Sequence, residues 1–206
     1  RGYLYIDEVN LLEDHLVDLL LDVAQSGENV VEREGLSIRH ASKFILIGSG
    51  NPEEGELRPQ LLDRFGLSVE VMTPGTVHER IEIIQRRDQY DNNPEGYVLD
   101  WQKENKKLRN KIQKARKNLN SVSVDNKILE NCAEICIDLG SDGLRGELTL
   151  VRTARALAAL SNSSSVDEAQ LRKIAPMALS HRLRRDPLDD AGSGTRVARS
   201  AEEIIG

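Results

Sequence analysis

Two carboxylates, Asp7 and Glu8, directly follow the apolar and aromatic run Tyr3-Leu4-Tyr5-Ile6. Such a run suits a strand buried on both faces of a parallel sheet. Ligands of open α/β sheets bind beyond the carboxyl ends of the strands, so these two acids stand where chemistry is expected. There Asp7 would hold a Mg2+ ion, directly or through water, and Glu8 would orient and polarise a water that attacks a γ-phosphate. The same residues also describe a strand running into a solvated turn. A second apolar run, Phe44-Ile45-Leu46-Ile47, passes through small residues to Asn51-Pro52. An Asn at the end of the neighbouring strand can hydrogen-bond the attacking water or the phosphate, although Asn before Pro is also a common turn former. Residues 56–66, ending Leu61-Leu62-Asp63-Arg64-Phe65-Gly66, then read as a short helix running into a glycine-terminated turn, which displays Arg64 at a helix end. A guanidinium there can reach across a subunit boundary to a neighbour's γ-phosphate, with a planar donor set that Lys lacks. Taken alone, an Arg after Asp is more often a surface ion pair. Arg145, in the first turn of a helix that follows glycines, is placed to reach a phosphate from a separate lid.

The elements that must position these residues can be read in order. Residues 11–26 carry Leu11, Leu12, His15, Leu16, Leu19, Leu20 and Val23 at helical spacing, with Gly27 set to end the helix and His15 read as a packed side chain. Two β-branched runs on either side of Glu34-Gly35 signal a hairpin over residues 29–40, whose charged residues mark it as a projecting element. Residues 67–72 alternate like a further strand, and residues 76–87 suit a helix with Ile81, Ile83 and Ile84 on its apolar side. A break is expected at residues 90–94. Beyond it, residues 98–119 predict a long helix acting as a connecting arm. Ser123 or Asp125 caps a helix to about Leu139, residues 144–160 form the next, and Ser165-Val166-Asp167-Glu168 reads as a capping box that opens another. Residues 186–195 are turn-rich and read as mobile, with a short helix at the end of the chain.

Composition narrows the function classes. The chain has 206 residues, a formal charge of -6 and a pI near 5.4. That balance argues against a general electrostatic grip on nucleic acid or an anionic membrane. The arm is locally basic through Lys106, Lys107, Arg109, Lys111, Lys114, Arg116 and Lys117, but it lacks interleaved aromatics and reads as a solvated helix, so no nucleic-acid partner is expected. No apolar run approaches the roughly 18 residues that would span a bilayer, so no membrane insertion is expected and the protein reads as soluble and intracellular. The two cysteines, Cys132 and Cys136, lie four apart in a helical pattern and read as core thiols.

The ordered set, a strand with Asp7-Glu8, a hairpin, a strand with Asn51 and then Arg64, is more specific than any member. It resembles the AAA+ ATPases with a hairpin inserted before sensor 1. Within that group Tyr5-Ile6-Asp7-Glu8-Val9-Asn10, Gly50-Asn51-Pro52-Glu53-Glu54-Gly55-Glu56, Leu61-Leu62-Asp63-Arg64-Phe65-Gly66 and Asp142-Gly143-Leu144-Arg145-Gly146-Glu147 are similar to the magnesium-chelatase I-subunit family. The resemblance runs through essentially the whole chain. It implies a partial AAA+ parallel-sheet core from the Walker B strand onward, with an inserted β-hairpin and then an all-α lid domain. The expected divisions are 1–87 for the core portion, 88–122 for the arm and 123–206 for the lid.

By the same resemblance Asp7 and Glu8 match Walker B, Asn51 sensor 1, Arg64 the arginine finger and Arg145 sensor 2, with ATP and Mg2+ as cofactors. It implies a homo-oligomeric ring, a hexamer by expectation, working with a D-type AAA+ subunit and a porphyrin-binding H-type subunit. Its implied activity is ATP-driven insertion of Mg2+ into protoporphyrin IX for chlorophyll biosynthesis, in a bacterial cytoplasm or a plastid stroma. A MoxR-like AAA+ chaperone is the alternative with the same core motifs. No G-x-x-x-x-G-K-[ST] phosphate loop occurs in the sequence. The chain is therefore expected to be the C-terminal part of a longer protein that carries the loop upstream, and to be inactive alone.

Overall fold

The computed structural model describes residues 2–33, 35–55, 57–141, 143–183 and 192–206. They fall into two compact units, Arg1–Gly66 and Leu67–Gly206.

In the first unit, strand β1 (Gly2–Ile6) leads through a 3-10 turn (Val9–Leu11) to helix α1 (Asp14–Ser26). The hairpin β2 (Glu28–Arg33) and β3 (Leu36–Ala41) follows, then β4 (Phe44–Gly48) and the short helix α2 (Pro59–Leu62). β1 and β4 pair in parallel with Gly2 opposite Phe44 and Ile6 opposite Gly48, while among the described residues β2 and β3 pair only with each other. Parallel neighbours need a long crossover, which here is α1 plus the hairpin. Gly27 closes α1 at φ 75°, a left-handed conformation that glycine adopts without a Cβ penalty. The expected hairpin thus forms, with its tip residue Glu34 outside the described residues.

Val9, Val17, Leu21 and Leu61 are the buried core of this unit, with Ile6, Leu12, Leu46, Leu57 and Phe65 packed beside them. Three expectations are corrected here. Only one sheet face is covered: Tyr3, Tyr5, Ile45 and Ile47 on the other are 76, 60, 52 and 45% exposed, because no described helix of the unit lies against them. The buried stripe of α1 is Val17 and Leu21 rather than Leu16 and Leu19, which are exposed. Helix α1 carries an apolar arc wider than the sheet it meets, so hydrophobic spacing alone does not choose the edge. His15 is exposed beside Glu13, with Nδ1 3.2 Å from the carboxylate, and is not packed.

The second unit is helical: α3 (Val77–Asn92), α4 (Pro94–Asn118), α5 (Asn126–Asp138), α6 (Arg145–Leu160), α7 (Glu168–Leu179) and α8 (Ser193–Ile205). Nineteen buried residues from Ala115 onward form one core, centred on Ile135, Leu150, Leu171, Ile174 and Leu179. Thr76 caps α3 in a reciprocal box with Glu79, and Asp125 caps α5 by accepting from the Ile128 N–H at 2.9 Å. The box that opens α7 is Asp167 with Gln170, two residues beyond the expected Ser165 and Glu168. Ser165 is instead drawn into a backbone pairing with Ser123, in which the Val166 N–H donates to the Ser123 carbonyl at 3.0 Å. The break expected over 90–94 narrows to Asn93, which caps α4.

Residues 67–72 form no strand, and Val69, Val71 and Met72 are 62, 88 and 75% exposed. A strand exists only against a partner edge, and none pairs with this segment among the described residues. The expected mobile segment 186–195 lies mostly outside the described residues; Ser193 onward is helical. No helix among the described residues is long and apolar enough to cross a membrane.

Candidate functional site

The register of the parallel pair builds the site. With Ile6 opposite Gly48, the next residues, Asp7 and Ser49, emerge side by side from the carboxyl ends of the strands. The Ser49 N–H donates to the Ile6 carbonyl at 3.0 Å and the Val9 N–H donates to the Ser49 carbonyl at 2.8 Å, which lock both turns. Ser49 Oγ donates to Asp7 Oδ1. The Tyr5 hydroxyl meets the same Oδ1 at 3.1 Å and Ser49 Oγ at 3.0 Å. Donation from Ser49, then from Tyr5 and the Glu8 backbone, holds the Asp7 carboxyl below the usual carboxylate range, although the side chain is exposed.

Glu8 sits at φ 52°, ψ 46°, left-handed for a residue with a Cβ, at a cost of about 1 kcal/mol. That turn redirects the chain from β1 into the 3-10 turn and separates the two acids. Close packing keeps it compact: a Cβ on Gly48 would come within 2.8 Å of Val9 Cγ1, and one on Gly50 within 2.6 Å of Asn10 Oδ1. Asn10 Nδ2 donates to the carbonyls of Asn51 at 3.3 Å and Gly55 at 3.0 Å, tying the turn after β1 to the loop after β4.

Asn51 is thereby brought to the same end of the sheet as Asp7. Its Oδ1 accepts from the Glu53 N–H at 3.1 Å and caps a 3-10 turn (Pro52–Glu54), so the side chain is engaged locally. Arg64 lies just past α2, and its side chain is 18% exposed. One terminal nitrogen donates to Asp18 and the other to Asp22, successive turns of α1. Arg58, at the start of α2, pairs with Asp14 one turn earlier. The acidic stripe Asp14, Asp18 and Asp22 therefore grips both ends of the α2 segment. Arg145 belongs to the second unit, where it is exposed as the first residue of α6; Asp142 of its motif lies outside the described residues.

Sequence reasoning missed Tyr5, Ser49, Asp18 and Asp22. The aspartates were visible as an i, i+4, i+8 stripe, but nothing in the sequence named their partner. For Ser49 the only signal was its place, one residue past the end of the strand that pairs with β1. Cys132 and Cys136 are buried as expected, and burial pushes their thiols up to about 11 and about 12. No group of three or more His, Cys, Asp or Glu residues able to hold a metal occurs among the described residues. An ionised, solvent-facing Asp7 at a strand end nonetheless suits a hard cation that keeps most of its waters.

The AAA lid domain family matches residues 129–203. The magnesium-chelatase 38 kDa subunit of Rhodobacter capsulatus is 64% identical over 205 residues, covering 100% of this chain and 59% of that protein. The counterpart in Chlorobaculum parvum is 54% identical over 206 residues, with 100% and 60% covered. The chloroplastic magnesium-chelatase subunit ChlI of Nicotiana tabacum is 49% identical, with 100% and 48% covered. A crystal structure of a candidate ATPase from Cytophaga hutchinsonii, 18% identical, aligns over 98% of this chain and 64% of its own with a TM-score of 0.70.

Two parallel strands ending in Asp7 and Ser49, the hairpin between them and a helical unit that matches an AAA lid define a partial AAA+ core with its lid. Within that class, the chain is similar over its whole length to magnesium-chelatase I subunits. It spans about three-fifths of the length of the bacterial relatives it matches.

Proposed function

We propose that the chain is part of the ATPase motor subunit of magnesium chelatase, which couples ATP hydrolysis to insertion of Mg2+ into protoporphyrin IX for chlorophyll biosynthesis. The observation that carries this reading is 64% identity across the whole chain to a magnesium-chelatase 38 kDa subunit. That identity favours this reading over the MoxR-like chaperone, which shares the core motifs.

In this reading Asp7 holds the Mg2+ of Mg-ATP, whose charge offsets that of the phosphates. Glu8 polarises the attacking water, and Asn51 gives up its cap to orient it. Arg145, by its motif, is a further cation for nucleotide phosphates. Arg64 completes the site of an adjacent subunit in a homo-oligomeric ring, a hexamer. Both its terminal nitrogens are engaged by Asp18 and Asp22 within the chain, so reaching a neighbour's phosphate exchanges carboxylates for phosphate oxygens. A D-type AAA+ subunit and a porphyrin-binding H-type subunit are the partners, in a bacterial cytoplasm or a plastid stroma.

The test is ATP hydrolysis by the complete protein, alone and with the D and H subunits, Mg2+ and protoporphyrin IX, while porphyrin absorbance is followed. Metallated porphyrin that appears only with ATP and this subunit is the expected result. Hydrolysis with no metallation would leave a AAA+ ATPase and move the assignment to the chaperone class.

A further inference from the structure

Three polar groups meet at the end of the sheet for a reason rooted in register. Side chains two apart on a strand share a face, so Tyr5 projects on the same side as Asp7. The parallel pairing of Ile6 with Gly48 sets Ser49 beside Asp7 from the other strand. The Ser49 backbone is bonded through both its N–H and its carbonyl, so its hydroxyl leaves from a nearly fixed point. Ser49 Oγ and Tyr5 OH then converge on one and the same oxygen, Asp7 Oδ1, and touch each other.

We infer that Ser49 and Tyr5 are positioning residues for Asp7, fixing the orientation of its carboxylate for the divalent cation bound with the nucleotide. This rests on the proposed role of Asp7. An exposed aspartate rotates freely about χ1 and broadly about χ2, and a cation or its water shell must freeze that rotation on binding. Two hydroxyl donors on one oxygen settle the rotamer before the cation arrives. Groups that orient a metal ligand in this way are typically worth about 10–100-fold in metal affinity. Ser49 contributes the larger share because its backbone is held on both sides. Tyr5, 60% exposed, supports Asp7 and Ser49 together.

The experiment is a titration of the complete protein, loaded with a non-hydrolysable ATP analogue, with Mn2+ as the probe and protein-bound Mn2+ read by electron paramagnetic resonance. Ser49→Ala is expected to weaken Mn2+ binding by about 10-fold or more, and Tyr5→Phe by about 3-fold or more, less than Ser49→Ala. Ser49→Thr keeps the hydroxyl on the same Cβ and is expected to bind within about threefold of the parent. Thermal melts of each variant show that the fold is kept. Asp7→Asn is the reference, and its loss of Mn2+ supports the cation role itself. If Asp7→Asn loses Mn2+ while Ser49→Ala and Tyr5→Phe bind it like the parent, the positioning role is overturned and the Asp7 assignment stands. Loss in Ser49→Ala that Ser49→Thr fails to restore also overturns it, because the hydroxyl is then not the cause. An Asp7→Asn variant that binds Mn2+ normally overturns the Asp7 reading and the inference with it.

Discussion

Among the described residues, the helical unit buries nineteen residues in one continuous core, whereas the α/β unit buries four, yet four of the five residues proposed for phosphate chemistry, all but Arg145, lie in the α/β unit. The two differ in how much of their apolar surface their own elements cover. In the helical unit α5, α6, α7 and α8 turn their apolar stripes on one another. In the α/β unit a sheet of two strands leaves Tyr3, Tyr5, Ile45 and Ile47 in solvent, and α1 leaves Leu16 and Leu19 there too. Buried area and the candidate site thus lie in different parts of this chain: a helical body with one buried core, and a sheet end held by hydrogen bonds and ion pairs.

The largest expected effect tests the chemical half of that contrast. Arg64→Ala in the complete, assembled protein should lower ATP turnover by about 10³-fold or more; an unchanged rate would remove the trans-acting role and leave Arg64 as a clasp on α1. For the packing half, Leu171→Ala, at a fully buried position, should destabilise the helical unit by about 2–5 kcal/mol in denaturant unfolding followed by circular dichroism. Tyr3→Ser, on the uncovered sheet face, should change this chain's stability by no more than about 0.5 kcal/mol. Equal costs at the two sites would erase the distinction.

The thiols sharpen it further. With Cys132 near 11 and Cys136 near 12 against an ordinary 9.0, their thiolate populations at pH 8 fall by roughly 100-fold or more, and iodoacetamide labelling of the folded chain should slow at least as much. Both values are raised on folding, so their contribution to stability is complete below pH 9 and is lost as pH rises towards 11 and 12. The helical unit should therefore melt at lower temperature in that alkaline window. The clasp also carries a small effect: Asp18→Asn or Asp22→Asn should each cost below about 1 kcal/mol, because both carboxylates are more than half exposed.

Much of the architecture was legible in the sequence. The order of strand, helix, hairpin, strand and helical unit follows from apolar periodicity and turn residues, as do Gly27 at the end of α1 and Asp125 at the start of α5. Failures came where two local solutions competed. Ser165 and Asp167 each offer an N-cap with a partner three residues on, and the backbone pairing of Ser123 with Ser165 decides for Asp167. Residues 67–72 have a strand's alternation but find no edge to pair with among the described residues. For the site, Asp7, Glu8, Asn51, Arg64 and Arg145 were chosen by type and motif, whereas the groups that hold them were not.

What the sequence determined by itself was most of the elements, several of their caps and the chemical repertoire, because those depend on contacts within about four residues: the Thr76 box with Glu79, the Asn51 cap on Glu53 and the dyad Asp7-Glu8 itself. Only the tertiary structure decided which edge of α1 is buried, that Ser49 and Tyr5 share one oxygen of Asp7, and that Arg64 is spent on Asp18 and Asp22. Those partners lie 42 to 46 positions apart for Ser49 with Asp7 and for Arg64 with Asp22 and Asp18. Their meeting depends on strand register and helix packing, which no local pattern of residues encodes.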